Sequence, residues 1–228
     1  MKTIILAWWK WTRLMPLTKN KPKPMVEILW KPILEYILKS IKPFSNEVII
    51  VTKYKEEIIK NYFVNNFKWI NIKYHTQIDK KWTWAALMWI DIEEDFVVLN
   101  WDTIYNKKDL EKIYKCKEYA CLVKEVEEPS KYGIFQKDEN NYAVKIIEKP
   151  EQYVWNLANI WVYKFPSKTL RMIENIKPSP RWEYEITDAI NLLLKDEKIK
   201  LIKQDWNFID VGYPQDIEKA EKLLQENI

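Results

Sequence analysis

The chain has almost no glycine. Only Gly133 and Gly212 occur among its 228 residues, where an average usage of about 7% would supply roughly 16. A loop that wraps phosphate needs residues that tolerate φ > 0, which is glycine's usual place. Cysteine is scarce too. Cys116 and Cys121 lie five apart with no His beside them, which excludes a disulfide scaffold and a Cys/His metal site and fits two reduced cytosolic thiols. His75 is the only His, so a His-rich metal centre is excluded, and the residue reads as structural or exposed. Arginine is limited to Arg13, Arg171 and Arg181 among 37 basic residues, as in the product of an AT-rich genome. No apolar run reaches the roughly 18 residues of a membrane span. The opening Lys2 and Thr3–Trp9 resemble a short signal peptide, but the run stops at Lys10 with no small-residue cleavage site. A cytoplasmic protein is expected. Net charge is +4, with Lys and Glu interspersed rather than blocked. That pattern is a solvated surface, not a nucleic-acid patch, and local positive charge still suits a phosphorylated ligand.

What the chain has in excess is tryptophan, 13 of them. Leu6-Ala7-Trp8-Trp9-Lys10-Trp11-Thr12-Arg13 becomes a phosphate loop if each Trp is read as Gly. The same exchange restores ordinary sequence around Trp30, Trp82, Trp84, Trp101, Trp161 and Trp182, and it returns the whole chain to a usual glycine content. A bulky indole would also stand where the phosphate lies, at positions that ask for φ > 0. The expectation is a gene in which UGA means Gly, translated with a table in which UGA means Trp. Genuine Trp residues would instead be core aromatics or sugar-stacking platforms.

Hydrophobic periodicity gives the organisation. Residues 2–7 read as a buried strand, followed by a long loop over 8–27. A helix spans Ile33–Ile41, begun by Pro32. A strand at Glu47–Val51, a helix at Tyr54–Tyr62 and a strand at Ile70–Tyr74 follow. Then come a helix at 83–90, a strand at Phe96–Asn100 and a helix at Asp109–Cys116. The second half carries strands at Tyr119–Glu125, Tyr142–Ile147 and Asn159–Phe165, and helices at 167–175 and 184–195. It closes with strands at 199–203 and 207–210 and a helix at 215–226. This alternation predicts an α/β fold with a mostly parallel sheet. With no linker or repeat, one domain over 1–228 is expected, with halves at 1–115 and 116–228, the second a substrate-binding lobe on the same sheet.

Four features bear on chemistry. They are the loop 7–13 after the first strand, the proline-braced cation of Lys21-Pro22-Lys23-Pro24-Met25, Asp102 just past a buried strand, and Asp210 ending a short one. Open α/β sheets place ligands at strand carboxyl ends. Two carboxylates there can hold Mg²⁺, although a lone Asp at a strand end is also a common turn residue.

Taken in order, these motifs resemble the sugar-phosphate nucleotidyltransferases, the NDP-sugar pyrophosphorylases. The likeness runs through 6–18, 21–25, 77–87, 100–102, Pro129–Gly133, Ile147–Pro150, 156–163, 181–188 and 210–212, with Trp at the family's Gly positions. The resemblance implies a Rossmann-like three-layer nucleotide-diphospho-sugar transferase fold with a mixed, mostly parallel sheet. It implies transfer of a nucleotidyl group from an NTP to a sugar 1-phosphate, with Mg²⁺. Leu6, Ala7, Trp8, Trp9, Trp11 and Thr12 would wrap the nucleotide, with Arg13 on its phosphates and Lys23 at the reacting phosphate. Gln77, Trp82 and Thr83 would read the base. Asp102 and Asp210 would hold the metal. Gly133, Glu148 and Asn159 would hold sugar hydroxyls, and Lys149 the sugar phosphate. Some relatives carry a C-terminal β-helix for acyl transfer or oligomerisation. None is expected here, and a homo-oligomer stays compatible with the family. Were the Trp residues genuine, a non-catalytic nucleotide-binding homologue would be the better reading.

Overall fold

Runs of β-branched residues without polar alternation mark strands covered on both faces. The computed structural model describes residues 1–7, 14–77, 85–174, 176, 185–205 and 209–226, and these runs are its central strands. In chain order the elements begin with β1 (Lys2–Leu6), β2 (Glu27–Ile28), β3 (Lys31–Pro32), α1 (Ile33–Ile41), β4 (Glu47–Thr52), α2 (Glu56–Phe63), β5 (Asn66–Phe67) and β6 (Ile70–Thr76). They continue with β7 (Phe96–Asn100), β8 (Thr103–Ile104), α3 (Lys107–Lys115), β9 (Tyr119–Glu125), β10 (Gly133–Lys137), β11 (Ala143–Glu148) and β12 (Leu157–Phe165). The last are α4 (Lys168–Ile173), α5 (Ile186–Leu193), β13 (Ile199–Lys203), β14 (Ile209–Asp210) and α6 (Pro214–Glu226). The chain forms two compact units that interleave in sequence: Met1–Ile78 with Asn100–Leu110 and Trp206–Ile228, and Asp79–Leu99 with Glu111–Asp205.

In the first unit β1, β4 and β6 are parallel neighbours, with Ile4 opposite Ile49 and Val48 opposite Ile72. β5 closes the edge antiparallel to β6. The stripe Ile33, Leu34, Ile37, Leu38 and Ile41 of α1 is fully buried, as the i, i+3, i+4 spacing requires. Each such side chain contributes about 1.5–3 kcal/mol by leaving water. The helix starts without a side-chain cap. Instead the Ile33 N–H donates to Val26 O at 3.0 Å, which ties it to the segment before β2.

The second unit is built on β12, which pairs antiparallel with β7, β9 and β10. β11 continues from β10 antiparallel, and β13 lies parallel to β9. Tyr163 stacks on Phe165 at 5.0 Å, and Phe96 meets Phe165 edge-on at 6.5 Å. The sheet is therefore mixed, with the expected parallel order carried by the first unit. The helix expected at 83–90 is corrected: within the described residues only a 3₁₀ turn at Ala85–Leu87 forms, and the backbone leaves helical space at Trp89, where φ is 62°. Gly133–Lys137 is a strand that periodicity did not mark. Cys116 and Cys121 are free thiols, and burial pushes the Cys121 thiol well up. His75 is half-buried in β6. Among the described residues no helix is long and apolar enough to cross a membrane.

Candidate active site

Parallel register brings the carboxyl ends of β1, β4 and β6 to one side, the ligand side of open α/β sheets. Ala7 is fixed there by its N–H to Val51 O at 2.8 Å, and Gln77 by its N–H to Thr52 O at 2.9 Å. Leu6, Ala7 and Gln77 are all buried. Glu56, at the start of α2, accepts hydrogen bonds from Thr52 Oγ1 and Thr76 Oγ1, both at 2.7 Å, and pairs with Lys60 at 2.9 Å. One carboxylate thus joins the ends of β4 and β6. Burial pushes the Glu56 carboxyl up, but the hydrogen bonds from Thr76, Thr52 and Lys60 outweigh it and hold it below its ordinary value.

Lys21 and Lys23 stand two residues apart and have opposite fates. Pro22 (φ −70°, ψ 151°) leads into a 3₁₀ turn over Lys23–Met25. The turn is closed by Met25 N–H to Pro22 O and Val26 N–H to Lys23 O, both at 2.9 Å. Lys21 stays outside and pairs with Glu27 at 2.8 Å. Lys23 points inward and is 1% exposed. Its Nζ donates to Asp102 Oδ2 at 3.3 Å and lies 4.6 Å from the centre of the Trp101 ring. An isolated buried ammonium costs several kcal/mol, so the Asp102 carboxylate is what permits this placement.

Asp102 follows β7 and is itself buried. The next residue, Thr103, pairs with Asp210 across the two-stranded β8–β14 ribbon, and the Val211 N–H donates to Asp102 O at 3.0 Å. The backbones of the two expected metal ligands are therefore adjacent. The turn after β14 is fixed by Gly212 and Tyr213 N–H groups on Asp216 Oδ2, at 3.1 and 2.8 Å. Among the described residues no group of three or more Asp, Glu, His or Cys comes together. The Asp102 carboxylate is the kind of oxygen donor that holds Mg²⁺ together with substrate phosphates.

The second unit gathers the other expected residues. Gly133 pairs with Glu148 across β10 and β11. On the other side of β10, Ile134 pairs with Ala158, so Asn159 lies one step along from that pair. A Cβ on Gly133 would stand 3.0 Å from both Glu148 Oε2 and Thr187 Cγ2, so these two side chains crowd the position and would have to give by a few tenths of an ångström to admit one. Asn159 is buried, and its Oδ1 accepts from Tyr163 Oη at 2.7 Å and the Trp161 N–H at 3.2 Å. Lys149 has φ 44°, donates its N–H to Tyr132 O at 2.9 Å, and carries its Nζ 3.9 Å from Glu148 Oε1. Gly133, Glu148, Lys149 and Asn159 thus form one patch. Thr187, over Gly133, and Trp101, over Lys23, join the two clusters without having been singled out in the sequence as ligand contacts. Both do lie inside the motifs that carry the resemblance. Arg13, Trp8, Trp9, Trp11, Thr12, Trp82 and Thr83 lie outside the described residues.

A family model described as "Nucleotidyl transferase" matches residues 2–227. The chain is 41% identical over 230 residues to the bifunctional protein GlmU of Methanocaldococcus jannaschii, covering all of this chain and 55% of that one. It is 35% identical over 236 residues to the UTP–glucose-1-phosphate uridylyltransferase AglF of Haloferax volcanii, covering 99% of this chain and 97% of that one. The chain thus spans about half the length of its GlmU relatives and nearly all of AglF. Among solved structures, a UDP-glucose pyrophosphorylase complexed with UDP-glucose superposes with a TM-score of 0.86 at 23% identity, covering 100% of this chain and 99% of that one. A UTP-bound UGPase from Acinetobacter baumannii gives 0.84 at 20% identity, covering 100% and 94%. The fold is the expected nucleotide-diphospho-sugar transferase fold.

Proposed function

We propose that this chain, which belongs to the nucleotidyl transferase family, joins a nucleoside triphosphate to a sugar 1-phosphate in the cytoplasm. The products are an NDP-sugar and pyrophosphate. The observation that carries the reading is the buried Lys23–Asp102 pair just past the end of β7. An oxygen of the sugar 1-phosphate attacks the α-phosphorus. The bond from that phosphorus to the bridging oxygen breaks, and pyrophosphate leaves with the electron pair. The nucleophile is already anionic, so no general base is required, and a chain with one His suffices. Catalysis is alignment and charge neutralisation.

Lys23 neutralises charge at the α-phosphate, and the 7–13 loop with Arg13 wraps the triphosphate. Gln77, with residues 82 and 83, reads the base. Asp102 and Asp210 would hold Mg²⁺, which supplies charge neutralisation at the phosphates when bound. Gly133, Glu148 and Asn159 hold the sugar hydroxyls, and Lys149 the sugar phosphate. The nearly full-length likeness to AglF supports glucose 1-phosphate as the sugar and a uridylyl group as what is transferred. The working polypeptide carries Gly at its Trp positions, as a code reading UGA as glycine would give. With Trp101 genuine, the indole seated on Lys23 favours a nucleotide-binding homologue without turnover. Pyrophosphate release by the glycine form, across NTPs and sugar 1-phosphates, tests the reading. Turnover with one pairing supports it, and none with any pairing overturns it.

A further inference from the structure

Six of the 13 Trp residues lie among the described residues: Trp30, Trp69, Trp89, Trp101, Trp155 and Trp161. Four of these six have left-handed backbones, with φ of 65° at Trp30, 74° at Trp69, 62° at Trp89 and 62° at Trp161. Only a few per cent of non-glycine residues adopt such φ, and for a bulky one it is an outlier.

The local geometry at each is one that selects glycine. Leu29–Trp30 is the two-residue loop between β2 and β3, with φ 46° and 65°. Lys68–Trp69 is the two-residue loop between β5 and β6, with φ 50° and 74°. Positive φ at both loop residues is the type I′ hairpin turn, favoured by Asn-Gly and Asp-Gly. Both loops hold Trp at the second place. Trp89 is the third residue of a turn closed by Ile90 N–H on Leu87 O at 3.4 Å. Positive φ there is the glycine position of a type II turn. Trp161 lies in β12 where the register against β9 slips between Asn159 and Tyr163. A left-handed bulge residue is by preference Gly.

Burial does not compensate, since Trp30 is 91%, Trp69 84% and Trp89 61% exposed. Trp69 and Trp89 fall in none of the nucleotide or sugar motifs, so their geometry speaks independently of any family likeness. We infer that the protein made in its own cell carries glycine at 30, 69, 89 and 161. One recoded codon explains these four together with the phosphate loop and Trp101. The inference stands on backbone geometry and does not depend on the proposed activity.

The test is a set of thermal melts. The reference is the chain with Gly at all 13 positions. Single variants place Ala, or the written Trp, back at 30, 69, 89, 161 or 155. At the four left-handed positions Gly should melt highest. Ala should fall about 2–4 °C below it, because its Cβ keeps most of the strain, with Trp at least as low. Trp155 is not left-handed, so Ala there should melt level with Gly or above it. An Ala melt equal to or above Gly at all four positions overturns the inference. So does an all-glycine chain that fails to fold while the written chain folds. Mass spectrometry of peptides spanning 69 and 89, from the protein purified from its source cells, gives an independent answer. Glycine mass supports the inference and tryptophan mass overturns it.

Discussion

The two clusters treat their charged pairs in opposite ways. Lys23 and Asp102 are sealed, with side chains 0% and 11% exposed and a direct contact at 3.3 Å. Lys149 and Glu148 are 51% and 21% exposed and 3.9 Å apart. A sealed pair holds strong fixed charge in low dielectric, which is where charge developing on a phosphate is stabilised most. A half-open pair is screened by water and contributes little to folding, so a ligand can reach it at little cost in stability. The first cluster thus suits the reacting phosphates and the second suits recognition. The backbones agree. The end of β7 and a two-stranded ribbon set the first cluster, whereas in the second Gly133 lies where a Cβ would crowd the Glu148 and Thr187 side chains.

Breaking the sealed pair should have the largest effect. In the glycine form, Asp102→Asn and Lys23→Ala should each reduce turnover by roughly a hundredfold or more. Lys23→Ala should also cost about 3–5 kcal/mol of stability by leaving a buried carboxylate alone. Steady-state kinetics at saturating Mg²⁺ and denaturant melts check both. Near-normal rates in either variant would remove the contrast between the clusters.

Gly133→Ala comes next. Its Cβ would meet Glu148 Oε2 and Thr187 Cγ2 at 3.0 Å, an overpacking worth about 1–3 kcal/mol. The variant should melt lower and bind sugar 1-phosphate more weakly. An unchanged melt would show that the Glu148 and Thr187 side chains give way to the Cβ.

Lys149→Ala sharpens the comparison from the open side. Stability should change by under about 1 kcal/mol, while KM for sugar 1-phosphate rises roughly tenfold and that for NTP stays put. Gln77→Ala should act on NTP choice instead. If the two substitutions exchange their effects, the sites have been assigned the wrong way round.

The smallest effect is in pH. The Glu56 carboxyl is held below its ordinary value of 4.5 by its hydrogen bonds, so the unfolded chain takes up its proton first as pH falls. Glu56 therefore contributes stability that is fully present above 4.5 and is lost as pH drops through its depressed folded pKa. Glu56→Gln should flatten the acid side of a stability–pH curve. A curve of unaltered shape would mean that the strand ends are held without this carboxylate.

Much of this was legible in the sequence. The α1 stripe, the apolar runs of β1, β4 and β7 and the ends of β9 and β13 follow directly from period and composition. Lys23 did not. The proline-braced segment marks a cation without telling which lysine turns inward, and the contact with distant Asp102 identifies it as Lys23. The segment Gly133–Lys137 carries too short a pattern to declare a strand without its partners Glu148 and Ala158. The helix expected at 83–90 failed for a local reason: Trp89 counts as an apolar helical residue, but its backbone is a turn. Read as Gly, position 89 is a turn signal that would end a helix.

The most direct test of the central claim uses the glycine form with Mg²⁺, an NTP and glucose 1-phosphate, following pyrophosphate release and the appearance of NDP-glucose together. Both should appear in equal amounts with UTP or dTTP, and both should vanish in Asp102→Asn. Pyrophosphate release without NDP-sugar, or a well-folded glycine form that turns over no NTP and sugar 1-phosphate pair, would contradict it.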